Sequence, residues 1–159
     1  MEHLSNQDEL YNLWLLFGKA RRCTFKAREK ELLPYGITPE QVSILYIIQN
    51  IGEPVTRSEI SRLTCREVHT VSGIVARMEK SGLVRMVKDP SRKNIVRFAM
   101  TKKGQEAYRQ STKRESIYRI FSVLSKEERQ QLKSILEKVW SRACQELGQY
   151  YKPPFLRSR

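Results

Sequence analysis

The stretch from Thr56 to Thr101 constrains the fold of this chain more than any other part of the sequence. Thr56 and Glu59 have the three-residue spacing of a capping box, which predicts the start of a short helix. At helical spacing, this helix would turn Ile60 and Leu63 towards the interior.

A second, longer helix is predicted over residues 67–81, ending near Gly82, a residue type that commonly follows a helix C-terminus. One face of it is apolar and is expected to be buried: Val68, Val71, Ile74, Val75 and Met78. The other face is small, polar or basic: His69, Thr70, Ser72, Gly73, Arg77 and Lys80.

Two β-rich runs, residues 83–88 and 95–100, follow this helix and predict a hairpin. The segment Asp-Pro-Ser-Arg-Lys-Asn joins them and carries turn residues, with Arg92 and Lys93 at the tip. A helix-turn-helix followed by a basic hairpin is a winged helix, with a recognition helix at 67–81 and a wing at 84–100. The predicted fold class is mostly α with this small β-hairpin wing.

Positive charge is concentrated in the same stretch. Residues 56–103 contain 12 Lys and Arg against 4 Asp and Glu, whereas residues 1–55 contain 6 against 7. Residues 104–159 contain 12 against 6, and the whole chain carries a net charge of +13. A merely solvated basic surface would explain the high pI, but not the concentration of charge at a DNA-reading motif. Double-stranded DNA is therefore the expected partner.

The composition excludes several other classes of protein. No apolar run approaches the roughly 20 residues of a membrane span, and the acidic, polar N-terminus is unlike a secretory signal. Three cysteines without CxxC spacing favour a reducing, cytoplasmic location. The chain has no Gly-rich phosphate loop or clustered carboxylates, and its two histidines are His3 and His69. We therefore expect no enzyme activity, no cofactor and no metal site.

Long helices are predicted on both sides of the winged helix. A first helix capped by Ser5 would run for about 28 residues, too long to be covered by this core, and would reach another subunit. A helix beginning at Thr38 is apolar nearly all round and should be buried. Beyond the wing, one long helix from Thr101 would break near residues 122–125. A last helix, capped by Ser125, would extend to about Tyr151.

These amphipathic helices have more apolar surface than one winged helix can cover, so they predict a homodimer. The expected organisation is an N-terminal dimerisation helix in residues 1–36 and a DNA-binding region in residues 37–101. C-terminal dimerisation helices would occupy residues 102–151 and a tail residues 152–159.

Over about residues 5–150, the order of these elements resembles the MarR family of bacterial winged-helix regulators. The resemblance rests on four segments: ITPEQVSILYII, TRSEISRLT, HTVSGIVARMEKSGLV, and DPSRKNIVRFAMTKKG with its closing Thr-x-x-Gly. The chain departs from the family in the wing. Ser91 stands before Arg92 where an acid is usual, and Asp89 lies two residues earlier.

This resemblance implies a homodimeric transcription factor whose two recognition helices enter successive major grooves of a pseudo-palindromic operator, with half-sites ~34 Å apart. Family members commonly repress their own or neighbouring genes. They release DNA when a small aromatic or anionic compound, or an oxidant, acts on them. The alternative is a winged helix that binds protein or RNA and does not read DNA sequence.

The polar and basic side chains of the recognition helix and the wing tip are the expected DNA contacts. Residues near the helix start can hydrogen-bond base edges or phosphates, and those further along are expected to meet phosphate. Arg92 is expected to enter the minor groove and Lys93 to contact phosphate. The candidates are Arg66, His69, Thr70, Ser72, Arg77, Lys80, Arg92 and Lys93.

Effector sensing is predicted from fewer residues. Trp14, Phe17, Tyr35 and Tyr46 are the candidate lining of an effector pocket, with ordinary core packing as the alternative. Cys23 is a candidate redox residue, because cationic neighbours can lower the pKa of a thiol; an inert thiol is the alternative.

Overall fold

A computed structural model of the protein describes residues 2–52 and 54–148, with side chains from residue 7 onward. A single turn of 3₁₀ helix, Leu33–Tyr35, follows the first helix. The other elements, in chain order, are α1 (Glu2–Leu32), α2 (Pro39–Ile51), β1 (Val55–Thr56), α3 (Arg57–Thr64), α4 (Val68–Lys80), β2 (Val84–Lys88), β3 (Val96–Met100), α5 (Lys102–Ser111), α6 (Glu115–Phe121) and α7 (Lys126–Glu146). The predicted tail, residues 152–159, lies outside the described residues. The last helix ends at Glu146, earlier than the predicted end at about Tyr151, and Gly148 just beyond it has a left-handed φ of 65°.

The core lies where α2, α3 and α4 pack with a three-stranded antiparallel sheet of order β1-β3-β2. Phe98 of β3 is buried at the centre of this sheet, paired with Val55 on one side and with Met86 on the other. The hairpin confirms the predicted wing within one residue at each strand start. Strand β1 was not predicted, because two residues are too few to show a pattern.

Three predicted helix starts are confirmed by capping boxes. In each pair, the hydroxyl of the first residue accepts the backbone N–H of the second, and the side chain of the second accepts the N–H of the first. The pairs are Thr38–Gln41, Thr56–Glu59 and Ser125–Glu128. Because these contacts are local, their residue types reveal them in the sequence.

The first helix begins earlier than predicted. It starts at Glu2, so Ser5 lies within the helix and is not its N-cap. Residues 2–4 contain no proline or glycine that would prevent the helix from extending in the N-terminal direction.

The prediction for one face of α4 is wrong at Val68. The side chain of Val68 is 47% exposed, whereas the other four apolar residues of that face are buried as predicted: Val71, Ile74, Val75 and Met78. Val68 is the first residue of α4, so it lies in the turn of the helix that projects from the core towards solvent.

The predicted single helix after the wing is broken into α5 and α6. Arg114 has left-handed backbone geometry, with φ 52°, at the joint. The Arg28 guanidinium donates a hydrogen bond to the Ser111 carbonyl at the end of α5. The Glu31 carboxylate accepts the backbone N–H groups of Glu115, at 2.8 Å, and Ser116, at 3.1 Å, at the start of α6. Side chains of α1 therefore cap both ends of this break, and they lie more than 80 residues away along the chain.

Large apolar side chains of α1, α6 and α7 are exposed in the single chain. Trp14 of α1 is 64% exposed and Ile135 of α7 is 56% exposed. Others on these helices and their flanks are Leu10, Tyr11, Leu13, Leu16, Phe17, Ile117, Tyr118, Phe121, Val123, Leu136, Val139 and Leu147. No helix within the described residues is long and apolar enough to cross a membrane.

Candidate nucleic-acid interface

The turn between α3 and α4 is fixed by hydrogen bonds to Ser61. The Ser61 hydroxyl donates to the Arg66 carbonyl at 2.6 Å, and the Arg66 N–H donates to the Ser61 carbonyl at 3.1 Å. Cys65 lies between them with a left-handed φ of 51°. The Arg66 guanidinium lies 3.7 Å from the Glu40 carboxylate of α2, so this cation at the start of the recognition helix is paired within the chain.

The outer face of α4 carries most of the predicted contact residues. His69, Arg77 and Lys80 are exposed, and Thr70 and Ser72 are half-buried. The last turn of α4 contains Arg77 and Lys80, where positive side chains also interact favourably with the helix dipole. The structure thus places these five predicted residues on the side of α4 that faces away from the core.

The exit from α4 is joined to the start of α5 by the Thr-x-x-Gly segment. The Thr101 hydroxyl donates to the Gly82 carbonyl at 2.6 Å and accepts the N–H of Gly104 at 3.0 Å. The Thr101 N–H donates to the Leu83 carbonyl at 3.1 Å. Gly104 packs directly on that carbonyl: a Cβ atom placed on Gly104 would lie 2.0 Å from the Leu83 oxygen. These contacts hold the base of the wing against α5.

Asp89 organises the tip of the wing. One of its carboxylate oxygens accepts the backbone N–H groups of Ser91 and Arg92, both at 2.9 Å. The other accepts the Arg97 Nε–H at 2.5 Å. The hydrogen bond from Arg97, followed by that from Ser91, lowers the pKa of Asp89 below its ordinary value. Asp89 therefore shapes the turn through the backbone of Arg92 and pairs with a different arginine.

Arg97 connects the wing to the helix-turn-helix. Besides Asp89, its guanidinium donates to the Pro54 carbonyl at 3.2 Å and lies 3.6 Å from the Glu59 carboxylate. Burial raises the pKa of Glu59, but hydrogen bonds from Thr56 and the charge of Arg97 outweigh burial and lower it. One side chain of β3 thus contacts the wing tip, the approach to β1 and the N-terminus of α3. Sequence reasoning missed this role, because nothing local distinguishes Arg97 from an exposed strand cation.

Arg92 and Lys93 lie at the exposed tip of the hairpin. Within residues 2–52 and 54–148, neither side chain forms a hydrogen bond or an ion pair. Their charges therefore project into solvent from a turn whose backbone is held in place.

Comparisons with known proteins agree with this geometry. A family model described as a winged helix DNA-binding domain matches residues 37–104. The ligand-free structure of the organohalide-sensing transcriptional regulator RdhR is 26% identical, covers 83% of this chain and 79% of its own, and superposes with a TM-score of 0.77. A MarR mutant from E. coli complexed with operator DNA is 20% identical, with a TM-score of 0.77 over 82% of this chain and 95% of that one. This chain has the winged-helix fold of the MarR family.

A curated protein is similar to this chain over a shorter length. The uncharacterized HTH-type transcriptional regulator YwoH from Bacillus subtilis (strain 168) is 31% identical over 93 residues. The match covers 57% of this chain and 65% of that protein. The MarR-like chain therefore spans slightly less than two thirds of the length of this relative.

The four aromatic residues predicted to line an effector pocket are not brought together in this MarR-like chain. Tyr46 lines a cavity next to the helix-turn-helix, and Phe17 lines a separate apolar groove against α7. Tyr35 lies in a third depression, where its hydroxyl accepts a hydrogen bond from Lys113 at 3.2 Å. Trp14 is exposed on α1 and stacks on Tyr11, with ring centroids 5.7 Å apart. The sequence could not show that these four aromatic side chains contact different parts of the fold.

The cavity next to the helix-turn-helix of this MarR-like chain has a volume of about 670 Å³. Its walls come from α1, α2, α5 and α6 together with the α3–α4 motif. Apolar side chains line much of it, and its charged lining residues are one carboxylate, Glu40, and four arginines: Arg21, Arg28, Arg66 and Arg114. This arrangement suits a compound that combines an apolar body with negative charge. The arginines come from three parts of the chain, so their convergence could not be predicted from the sequence.

The cysteines occupy different environments. Cys23 is exposed on α1, near the cationic side chains of its own helix, and Cys65 is exposed in the turn before α4. Cys144 of α7 is buried, and burial raises the pKa of its thiol above the ordinary value. Cys144 is therefore less readily ionised than an ordinary thiol, whereas Cys23 is accessible to solvent.

Proposed function

We propose that this MarR-like chain is a homodimeric transcriptional regulator that acts in the cytoplasm as a repressor and binds a pseudo-palindromic operator in double-stranded DNA. The observation that carries the proposal is the location of charge on the fold. The outer face of α4 and the tip of the hairpin are the two surfaces by which a winged helix contacts a duplex, and both present cations to solvent. The operator-bound MarR from E. coli has the same fold.

Each predicted contact residue has a proposed role. His69, Thr70 and Ser72 read base edges or bind phosphate at the start of α4, where the helix N-terminus also favours an anion. Arg77 and Lys80 bind the phosphate backbone further along the helix. At the wing tip, Arg92 enters the minor groove and Lys93 binds phosphate. Arg66 joins the contacts at the helix start if DNA phosphate replaces its weak pairing, at 3.7 Å, with Glu40.

A second copy of the chain is the proposed partner for the exposed apolar faces of α1, α6 and α7. A groove of about 590 Å³ between Phe17, Phe121 and α7 is lined mostly by apolar side chains, together with the charged residues Arg129, Lys133 and Glu137. Exposed apolar surface on three helices is more than a stable monomer normally presents to water. A symmetric pairing of residues 1–36 and 102–151 from two copies would bury it and would place two recognition helices on one duplex.

Fluorescence anisotropy of the purified protein on duplex DNA from upstream of its own gene tests this function. The assay includes a scrambled duplex and single-stranded RNA at two salt concentrations, and sedimentation equilibrium gives the mass. We expect a dimer that binds the upstream duplex tightly in the presence of excess scrambled duplex. Equal, steeply salt-dependent binding to both duplexes would contradict sequence-specific recognition. Preference for the RNA would favour an RNA-binding winged helix.

Replacing Arg92 with Ala should weaken binding to every duplex, because a minor-groove or phosphate contact carries little sequence information. We expect the slope of log K against log salt to become shallower by about 1 for each protomer. The matched control is Arg109→Ala on α5, which removes an exposed arginine paired with Glu106 and should leave the slope unchanged. An unchanged affinity and slope for Arg92→Ala would show that the wing does not contact DNA.

The cavity of about 670 Å³ is the proposed effector site; of the four aromatic residues predicted from the sequence, it retains Tyr46. The homologous RdhR has been solved in a form bound to 2,4-dichlorophenol. We expect benzoate, an aromatic anion, to weaken binding of the operator duplex, because its carboxylate would bind the arginines of the cavity. Arg21→Ala should reduce this effect, whereas the Arg109→Ala control should keep it. No effect of benzoate or of 2,4-dichlorophenol on DNA binding would contradict an aromatic effector.

A further inference from the structure

Val68 is an exposed apolar residue that takes no part in the hydrophobic core. The four other apolar residues on its helix that were expected to be buried are at most 5% exposed, whereas Val68 is 47% exposed. It lines neither the cavity next to the helix-turn-helix nor the apolar groove against α7. A β-branched side chain at an exposed helix position also gains nothing in helix propensity. Neither core packing nor helix formation therefore accounts for valine at this position.

The surface around Val68 has low relief. Residues four and eight positions further along the same face are Ser72 and Ala76, both small. Gly73 beside them has no side chain, and a Cβ there would meet only the Arg77 guanidinium, at 3.7 Å. In a helix that enters a groove, small residues let the backbone approach the base pairs closely. The branched side chain of Val68 then presents exposed methyl groups at the start of this surface.

The Ser72 hydroxyl is a polar group close to Val68 on this surface. It donates a hydrogen bond to the Val68 carbonyl at 2.9 Å, so the proton is already used within the helix. The hydroxyl oxygen can still accept a hydrogen bond from a base amino group. The hydroxyl therefore adds no free donor next to Val68, and the first turn of α4 presents the methyl groups of Val68 beside the polar side chains of His69 and Thr70.

We infer that Val68 reads a thymine in each operator half-site through van der Waals contact with the 5-methyl group of the base. The thymine methyl is the apolar group that the four bases expose in the major groove. In helix-turn-helix proteins, the N-terminal residues of the recognition helix contact the base edges. This inference rests on the proposed DNA-binding function and adds one specificity-determining residue to it.

The experiment uses the full-length protein and duplexes selected by it from a random library. Each thymine of the selected sequence is replaced in turn by deoxyuridine, which lacks the methyl group and keeps the same hydrogen-bonding edge. At one thymine of a half-site, the wild type should bind the deoxyuridine duplex about fourfold more weakly, the effect of exposing one buried methyl group. Val68→Ala should bind the two duplexes equally, and Val68→Ile should keep the difference.

The ratio of the two affinities is measured on one protein, so a change in folding or total affinity does not alter it. The same deoxyuridine penalty in the wild type and in Val68→Ala would overturn the inference, as would the absence of a penalty at every thymine. If the wild type selects no sequence at all, the proposed function itself fails. These outcomes distinguish an error about Val68 from an error about DNA binding.

Discussion

Replacing Gly104 with Ala should lower the free energy of unfolding by about 3 kcal/mol or more, the upper part of the range for overpacking a core. The new Cβ would lie 2.0 Å from the Leu83 carbonyl oxygen and 2.8 Å from Met100 Cγ. Met100 can rotate away, but the Leu83 carbonyl accepts the N–H of Thr101 and belongs to the base of the wing. Relief of the clash would therefore require α5 and the wing to separate.

Thermal and urea unfolding of the variant measure this effect. A loss of 3 kcal/mol corresponds to a midpoint about 6–12 °C lower for a chain of this size. Gly73→Ala is the matched control, because its Cβ has open space apart from one contact at 3.7 Å. In the interior of α4 this change should stabilise the chain by about 0.5–1 kcal/mol. Equal effects of the two substitutions would show that the packing of α5 on the wing is not tight.

Replacing Glu31 with Ala should be the next most disruptive change, at about 2–3 kcal/mol. The substitution removes the group that accepts the first N–H groups of α6 and leaves the guanidinium of Arg28, 2.8 Å away and largely buried, without its carboxylate. Urea unfolding measures the loss. Wild-type stability in Glu31→Ala would show that the α5–α6 joint is held by other contacts.

The Glu31 carboxylate also makes the stability of the folded chain depend on pH. Burial alone raises the pKa of Glu31, but hydrogen bonds from Ser116 and Arg28 outweigh burial and lower the pKa from 4.5 to about 2. Because the pKa is lower in the folded chain, the stabilisation is complete above about pH 4.5 and is lost as the pH falls towards 2. The stability of the wild type should therefore fall more steeply over this interval than that of Glu31→Ala.

Glu106 is the control for this interpretation. Hydrogen bonds from Arg109 and Gln110 lower its pKa to about 2 as well, but Glu106 and Arg109 lie exposed on α5 and Gln110 is only half-buried. Such a pair within one helix connects no two elements. Glu106→Ala should therefore leave the unfolding free energy and its pH dependence close to those of the wild type.

The sequence predicts most of the winged helix, because its determinants are local. Thr56 and Glu59 cap α3 through contacts three residues apart, and the alternating hairpin strands flank a turn of characteristic composition. The α5–α6 break could not be predicted, since Arg28 and Glu31 stabilise it from a distant helix. Helical periodicity extended straight through residues 112–114, where the structure has a left-handed residue.

Some residues of the candidate site could likewise be predicted from the sequence, whereas others could not. Exposed cations on one helix face, such as Arg77, and at a hairpin tip, such as Arg92, follow from periodicity and turn chemistry. The exposure of Val68 does not, because its spacing equals that of its buried neighbours. The partners of Asp89 and Arg97 could not be predicted from the sequence either, since strand pairing and the position of α3 decide which side chains meet.

The position of Arg97 fixes the wing relative to the helix-turn-helix. Its contacts with Asp89, Glu59 and the Pro54 carbonyl fasten the wing to the first helix of the DNA-binding motif. The distance between the outer face of α4 and the tip of the wing is therefore set within the chain itself. In the proposed dimer, adjustment to the spacing of half-sites would then have to come from movement of whole protomers.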